Sequence, residues 1–241
     1  MSGHSKWATT KRKKATIDAK RGQLFTKLGK IITIAARDGG GDPSSNSTLR
    51  MAIDNAKLQS MPKENIERAI LRGSGAGTDI NIESVTYEAY GPGGVAILIE
   101  CLTDNKNRAL SEIKMVINKA GGSFASAGSV AYNFQRKGEV IIDKNKNTLS
   151  DEELEGTIID SGAQDYEIEA NLILVYTSLN ELHQVKTKLE ESKIVIDSAE
   201  LTFIPNSYMD VPEEKKNKVS ELLESLDDLE DVNKVYTNAD I

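Results

Sequence analysis

GEVIIDKNKNTLSDEELEGTIIDSGAQDYEIEANLILVYTSLNELHQVKTKLEESKIVIDSAELTFI, residues 138–204, is the stretch whose reading decides the fold. Glu139 to Ile142, Tyr166 to Glu169, Leu172 to Tyr176 and Ile194 to Ile204 are short runs rich in β-branched and aromatic residues, which predicts four strands. Asp151 to Asp160 and Leu179 to Glu190 carry apolar residues at helical spacing, which predicts two helices. The resulting order, β-α-β-β-α-β, is that of the split βαβ or ferredoxin-like unit, expected here over residues 136–202.

Upstream, Val85 to Tyr90 and Val95 to Leu102 predict an antiparallel hairpin turned by Gly91-Pro92-Gly93-Gly94. A helix over Asn107 to Ala120 and a strand over Ser129 to Phe134 are expected to follow. Downstream, one helix, Pro212 to Leu226, and one strand, Val232 to Tyr236, are left over. Alone they bury little, so they are expected to return to the hairpin and form with it a discontinuous α/β domain of residues 78–135 and 203–241. The N-terminal part reads differently. Leu24, Leu28, Ile31, Ile32 and Ala35 predict one amphipathic helix, stopped by Gly39-Gly40-Gly41-Asp42-Pro43. A second is expected from an Asn46 or Ser47 cap through Leu49, Ile53 and Ala56, and a third from Pro62 to just before Gly73. The expected class is α+β with three domains: a helical one over residues 1–77, then two α/β domains, the ferredoxin-like one inserted into the other.

Charge is distributed unevenly along the 241 residues, whose formal net charge is −7. Residues 1–37 hold ten bases against Asp18 alone, a net +9; residues 38–72 hold five of each sign; residues 73–241 therefore carry −16. A basic contact surface on an acidic body is the expected reading, with nucleic acid as the partner. The run Lys11-Arg12-Lys13-Lys14, together with Lys6, Lys20, Arg21, Lys27 and Lys30, would neutralise phosphates and release counterions, giving affinity with little sequence readout. Trp7, the only tryptophan, could stack on a base or pack on the helices. Lys63, at the start of the third helix, could reach a phosphate or simply begin that helix.

Chemistry of other kinds finds little support. Cys101 is the only cysteine, and His4 and His183 the only histidines, so neither a disulfide nor a cysteine- or histidine-based zinc site can be assembled. Glu152, Glu153 and Glu155 crowd one turn, as solvated carboxylates do, and no nucleophile–base pair is evident. Catalytic residues, metal and cofactor are expected to be absent. No apolar run long enough for a membrane span occurs, and a cytoplasmic monomer without membrane contact is expected.

Specific blocks carry a family resemblance. Met1-Ser2-Gly3-His4-Ser5-Lys6-Trp7, Asp18-Ala19-Lys20-Arg21-Gly22, Gly39-Gly40-Gly41-Asp42-Pro43, Met61-Pro62-Lys63-Glu64-Asn65-Ile66-Glu67-Arg68-Ala69-Ile70, Tyr90-Gly91-Pro92-Gly93-Gly94-Val95-Ala96 and Gly128-Ser129-Val130-Ala131-Tyr132 resemble the YebC/PmpR family, as does the ending Tyr236-Thr237-Asn238-Ala239-Asp240-Ile241. That family includes the mitochondrial translational activator of cytochrome oxidase subunit I. The resemblance implies three domains, no catalytic activity and no cofactor. It implies either a DNA-binding transcriptional regulator or a ribosome-associated factor that contacts rRNA or tRNA and helps translation through stretches such as proline runs. It places the basic segment of the family at Lys6, Lys11, Lys13, Lys14, Lys20, Arg21 and Lys27, with the Met61-Pro62-Lys63 turn beside it. Arg12 stands where many relatives have histidine, which fixes a charge there. The acidic domains are left to position the basic one or to meet a protein partner.

Overall fold

The computed structural model describes residues 18–75 and 82–241. Three helices come first: α1 (Asp18–Gly39), α2 (Ser47–Leu58) and α3 (Lys63–Gly73). Leu28, Ile32, Ala35 and Ala36 of α1 fall on one stripe and bury against Leu49, Ile53 and Ala56 of α2 and Ile66 and Ala69 of α3. The turn between α1 and α2 depends on Asn46. Its Oδ1 accepts the Leu49 N–H at 3.0 Å, capping α2, while its Nδ2 donates to the Ala35 and Gly40 carbonyls, both at 2.8 Å, at the end of α1. A Cβ at Gly39 would lie 2.5 Å from the Asn46 amide, so glycine is required for this approach.

The first sheet, in the order β3-β1-β2-β9, comprises β1 (Glu83–Tyr90), β2 (Ala96–Thr103), β3 (Ser123–Ala125) and β9 (Val232–Thr237). All its pairings are antiparallel, and the C-terminal strand β9 pairs with β2 from Ile97↔Thr237 to Cys101↔Val232. Helices α4 (Lys106–Lys119) and α7 (Glu213–Asp227) cover one face through Ile113, Ile117, Val219, Leu222, Leu223 and Leu226. Val130, Phe134 and Phe203 pack on the other face, against Ala96 and Leu98. With both faces covered, β2 is buried along nearly its whole length. A two-residue parallel pairing of β8 (Met209–Asp210) with β10 (Ala239–Asp240) closes the C-terminus and has no counterpart in the sequence reading.

The second sheet, in the order β5-β6-β4-β7, comprises β4 (Phe134–Asp143), β5 (Asp165–Glu169), β6 (Leu172–Thr177) and β7 (Ile196–Pro205). Helices α5 (Asp151–Ser161) and α6 (Leu182–Glu191) pack on one side, giving the β-α-β-β-α-β order expected from the sequence. Strands β4 and β7 pair from Phe134↔Pro205 to Ile142↔Ile196, and at the Phe134 end Phe134 and Phe203 reach the first sheet and link the two.

One predicted strand is absent. Residues 129–133 form a turn and a 3-10 helix, Ala131–Asn133, and the strand begins only at Phe134. The cause is Glu88, whose buried carboxylate accepts the backbone N–H groups of Gly128 at 2.6 Å, Val130 at 2.5 Å and Ala131 at 2.9 Å. Donors committed to a carboxylate cannot also form a ladder.

Candidate nucleic-acid interface

The expected contact residues separate into three groups. Lys6, Trp7, Lys11, Arg12, Lys13 and Lys14 lie outside the described residues, and Lys20 lies in the first turn of α1. Arg21 is exposed, with its guanidinium 5.6 Å from the centroid of the Phe25 ring, and Lys63 is exposed at the start of α3, 3.5 Å from Glu67. A surface pair of that kind contributes little and leaves the ammonium available.

Lys27 and Lys30 behave differently. The Lys27 ammonium donates to the Asp227 carbonyl at 2.7 Å and lies 3.5 Å from the Asp227 carboxylate, at the end of α7. Lys30 donates to the Asp231 carboxylate at 3.1 Å and to the Glu230 carbonyl at 3.2 Å. Both ammonium groups, expected from the sequence to contact phosphate, join α1 to the first sheet in this structure. Arg108 of α4 completes the clasp, with Nε and Nη2 donating to Asp231 at 3.0 and 2.7 Å and Nη2 to Asp104 at 2.8 Å. Burial pushes the Asp231 carboxyl up, but the hydrogen bonds from Arg108 and Lys30 outweigh it and hold the group below the usual aspartate value.

Further bonds tie the helices to both sheets. Arg37 donates to the Ile82 carbonyl, while the Asn55 amide exchanges bonds with the Ala199 backbone at 2.9 and 3.3 Å. The buried Lys186 ammonium of α6 donates to Asp54 of α2 at 2.8 Å.

The clasp leaves a cleft of about 550 Å³ between α1, α3 and the first sheet. Asn65, Arg68 and Arg72 of α3 line it, and both arginines are exposed with no ion pair or hydrogen bond among the described residues. These residues were missed by charge counting, because residues 38–72 sum to zero. The signal was positional: at about 100° per residue, Asn65, Arg68 and Arg72 share one side of α3, while Glu67 turns away from it. The side toward the core is fixed by Ile66 and Ala69, and Gly73 permits the close packing, since a Cβ there would sit 2.2 Å from the Thr33 carbonyl oxygen of α1.

Other groups with chemical potential are structurally occupied. In the Gly91–Gly94 loop the Gly91 N–H bonds the Val95 carbonyl, Gly94 bonds back to Gly91, and Gly93 and Gly94 adopt φ of +87° and +83°, as a tight hairpin turn requires. Glu153 forms a capping box with Ser150, and Glu155 accepts from Tyr166 Oη at 2.9 Å. Cys101 is fully buried, and desolvation pushes its thiol up to about 12, which suits packing and not nucleophilic attack. No group of histidine, cysteine, aspartate and glutamate among the described residues could hold a metal, and no helix among them is long and apolar enough to cross a membrane.

Comparison with known proteins gives two family matches that together span nearly the whole chain: the TACO1/YebC protein N-terminal domain over residues 5–76, and the TACO1/YebC second and third domain over residues 82–239. The chain belongs to the TACO1/YebC family. Its relatives within that family include probable transcriptional regulatory proteins of Thermobifida fusca, 51% identical over all of this chain and 96% of the relative, and of Parafrankia sp., 49% identical with the same coverage. The probable transcriptional regulatory protein YrbC of Bacillus subtilis is 44% identical over 99% of both chains. Among solved structures, the crystal structure of a conserved hypothetical protein of Aquifex aeolicus matches with a TM-score of 0.88 and 42% identity, over 94% of this chain and 93% of that one. The α+β architecture is thus shared with that protein along nearly its full length.

Proposed function

We propose that this protein regulates gene expression in the cytoplasm by binding nucleic acid, without catalysing a reaction. The observation that carries the reading is the pair Arg68 and Arg72, cations without partners among the described residues, on a helix packed against α1 in a chain whose residues 1–37 carry a net charge of +9. Unpaired arginines over a cleft are an electrostatic footprint for phosphate, while the body carrying −16 repels phosphate and orients the molecule. The names of the relatives direct this reading to transcription, with DNA as the partner. The contact set in this proposal is Lys6, Trp7, Lys11, Arg12, Lys13, Lys14, Lys20, Arg21 and Lys63, extended by Arg68 and Arg72. The acidic sheets remain free to receive a protein partner, and the chain acts as a monomer.

A second reading, a translation factor bound to ribosomal RNA or tRNA, is favoured by the shape of the cleft. Asp104 and Glu230 face α3 across it, leaving a concave space that suits an unpaired strand better than a duplex. Sedimentation of cell extract through sucrose at low and moderate salt, alongside binding of the purified protein to promoter and unrelated DNA, separates the two. Saturable preference for particular promoter DNA, with no migration among ribosomes, supports the transcriptional reading. Migration with ribosomes that disappears when Lys11, Arg12, Lys13 and Lys14 become alanine supports the translational one. Failure to bind DNA or ribosomes would reject both.

A further inference from the structure

The cleft beside α3 is divided chemically, and the division has the polarity of a single nucleotide. Arg68 and Arg72 supply two guanidinium groups on the α3 wall that no carboxylate of the described residues neutralises. The facing wall cannot hold an anion, because Arg108 is already bound by Asp231 and Asp104, Lys30 by Asp231, and Glu230 adds a further carboxylate. Phe25, half-buried and with the Arg21 guanidinium 5.6 Å from its ring centroid, lines the cleft together with the buried Met61 and Ile82 and gives it an apolar part. On α1 the cleft is lined at Gly22, where an added Cβ would meet no atom of the described residues within 4 Å.

Among the described residues that line the cleft, the unpaired cations lie on α3, the aromatic surface is Phe25, and the carboxylates open to hydroxyl or amino donors are Asp104 and Glu230. A phosphate, a base and a ribose match these three features in that order. Stacking on an aromatic ring tolerates any base, and arginines fix a phosphate without reading sequence.

We infer that this cleft takes one nucleotide of a single-stranded nucleic acid, its phosphate held by Arg68 and Arg72 and its base laid against Phe25. The inference rests on the nucleic-acid reading above and assigns to it a second contact, separate from the N-terminal basic run. Gly22→Trp is the informative variant, since it adds bulk to the cleft lining while leaving every charge in place. Replacing a glycine within a helix should not cost stability.

Fluorescence anisotropy with a labelled short single-stranded RNA, its DNA counterpart and a duplex of the same sequence tests the assignment on the full chain. Thermal melts of each variant establish folding. Gly22→Trp and the double variant Arg68→Ala, Arg72→Ala should melt as the parent does and each lose single-strand affinity on the order of tenfold. Unaltered single-strand binding by a folded Gly22→Trp protein would overturn the cleft assignment while leaving the wider nucleic-acid reading in place. A parent protein that binds none of the three probes would overturn both. Adenosine monophosphate that competes as strongly as the strand itself would assign the cleft to free nucleotides and overturn the strand.

Discussion

Asp231→Ala should loosen the helical region from the first sheet, at a cost set by what the carboxylate holds. The group is 2% exposed and receives three charged hydrogen bonds, from Lys30 Nζ at 3.1 Å and from Arg108 Nε and Nη2 at 3.0 and 2.7 Å. Charged hydrogen bonds contribute roughly 1.5–3 kcal/mol each, and breaking a buried ion pair costs roughly 3–5 kcal/mol. The Arg108 side chain is 45% exposed and can rehydrate, so its two bonds count at the lower end, whereas Lys30, at 15%, stays largely desolvated. The balance is about 3 kcal/mol, or a fall in melting temperature of about 6–12 °C for a chain of this size. The assay is thermal unfolding by far-UV circular dichroism at neutral pH, with a double-mutant cycle against Lys30→Ala expected to give a coupling of about 1–2 kcal/mol. Because the folded carboxyl titrates below its ordinary value, its contribution is fully present above the unfolded pKa of about 3.9 and is lost as pH falls through the folded value. The gap between parent and variant should therefore stay constant from neutral pH down to about 5 and close only below about 4. A melting shift under about 2 °C at neutral pH would refute the clasp.

Three further outcomes are expected. Glu88→Gln replaces two acceptor oxygens by one and turns an amide toward backbone donors, so chemical denaturation should show a loss of about 2–3 kcal/mol. Burial raises the Glu88 carboxyl and the three N–H donors more than reverse this, so its stabilisation too should be lost only as pH falls below the ordinary glutamate range. Cys101, with its thiol pushed up to about 12, should resist a colorimetric thiol reagent in the native protein and react at once in denaturant; rapid native labelling would show that the first sheet opens readily. Changing Lys11, Arg12, Lys13 and Lys14 together to alanine should flatten the logarithmic salt dependence of nucleic-acid affinity by about one unit for each phosphate that is no longer neutralised, and an unchanged slope would remove that run from the interface.

The fold was legible where periodicity and punctuation agree. In the ferredoxin-like unit each strand is bounded by turn residues, the first helix starts at a serine cap, and the structure follows the expected order. The reading failed at residues 129–133, where local β propensity is real but a carboxylate some forty residues upstream captures the backbone donors. No local signal reveals that. The pairing of β8 with β10 is hidden for the same reason, being two residues long and set by distant chain segments. In the helical region, summed charge hides two arrangements. It does not show that Asp227 and Asp231 bind Lys27 and Lys30 from some 200 positions away, and it cancels Arg68 and Arg72 against acids that form no ion pair with them.

The two uses of lysine and arginine in this protein also respond differently to salt. Lys27, Lys30 and Lys186 face Asp227, Asp231 and Asp54 with side chains largely shielded from water, where counterions screen weakly. Arg68, Arg72 and Lys63 are exposed, and any phosphate they bind competes with every cation in solution. Moderate salt should therefore release nucleic acid while the helices remain docked on both sheets. On the proposed function, a salt-dependent affinity would report the contact surface itself, because the scaffold that positions Arg68 and Arg72 is held by the pairs that salt reaches least.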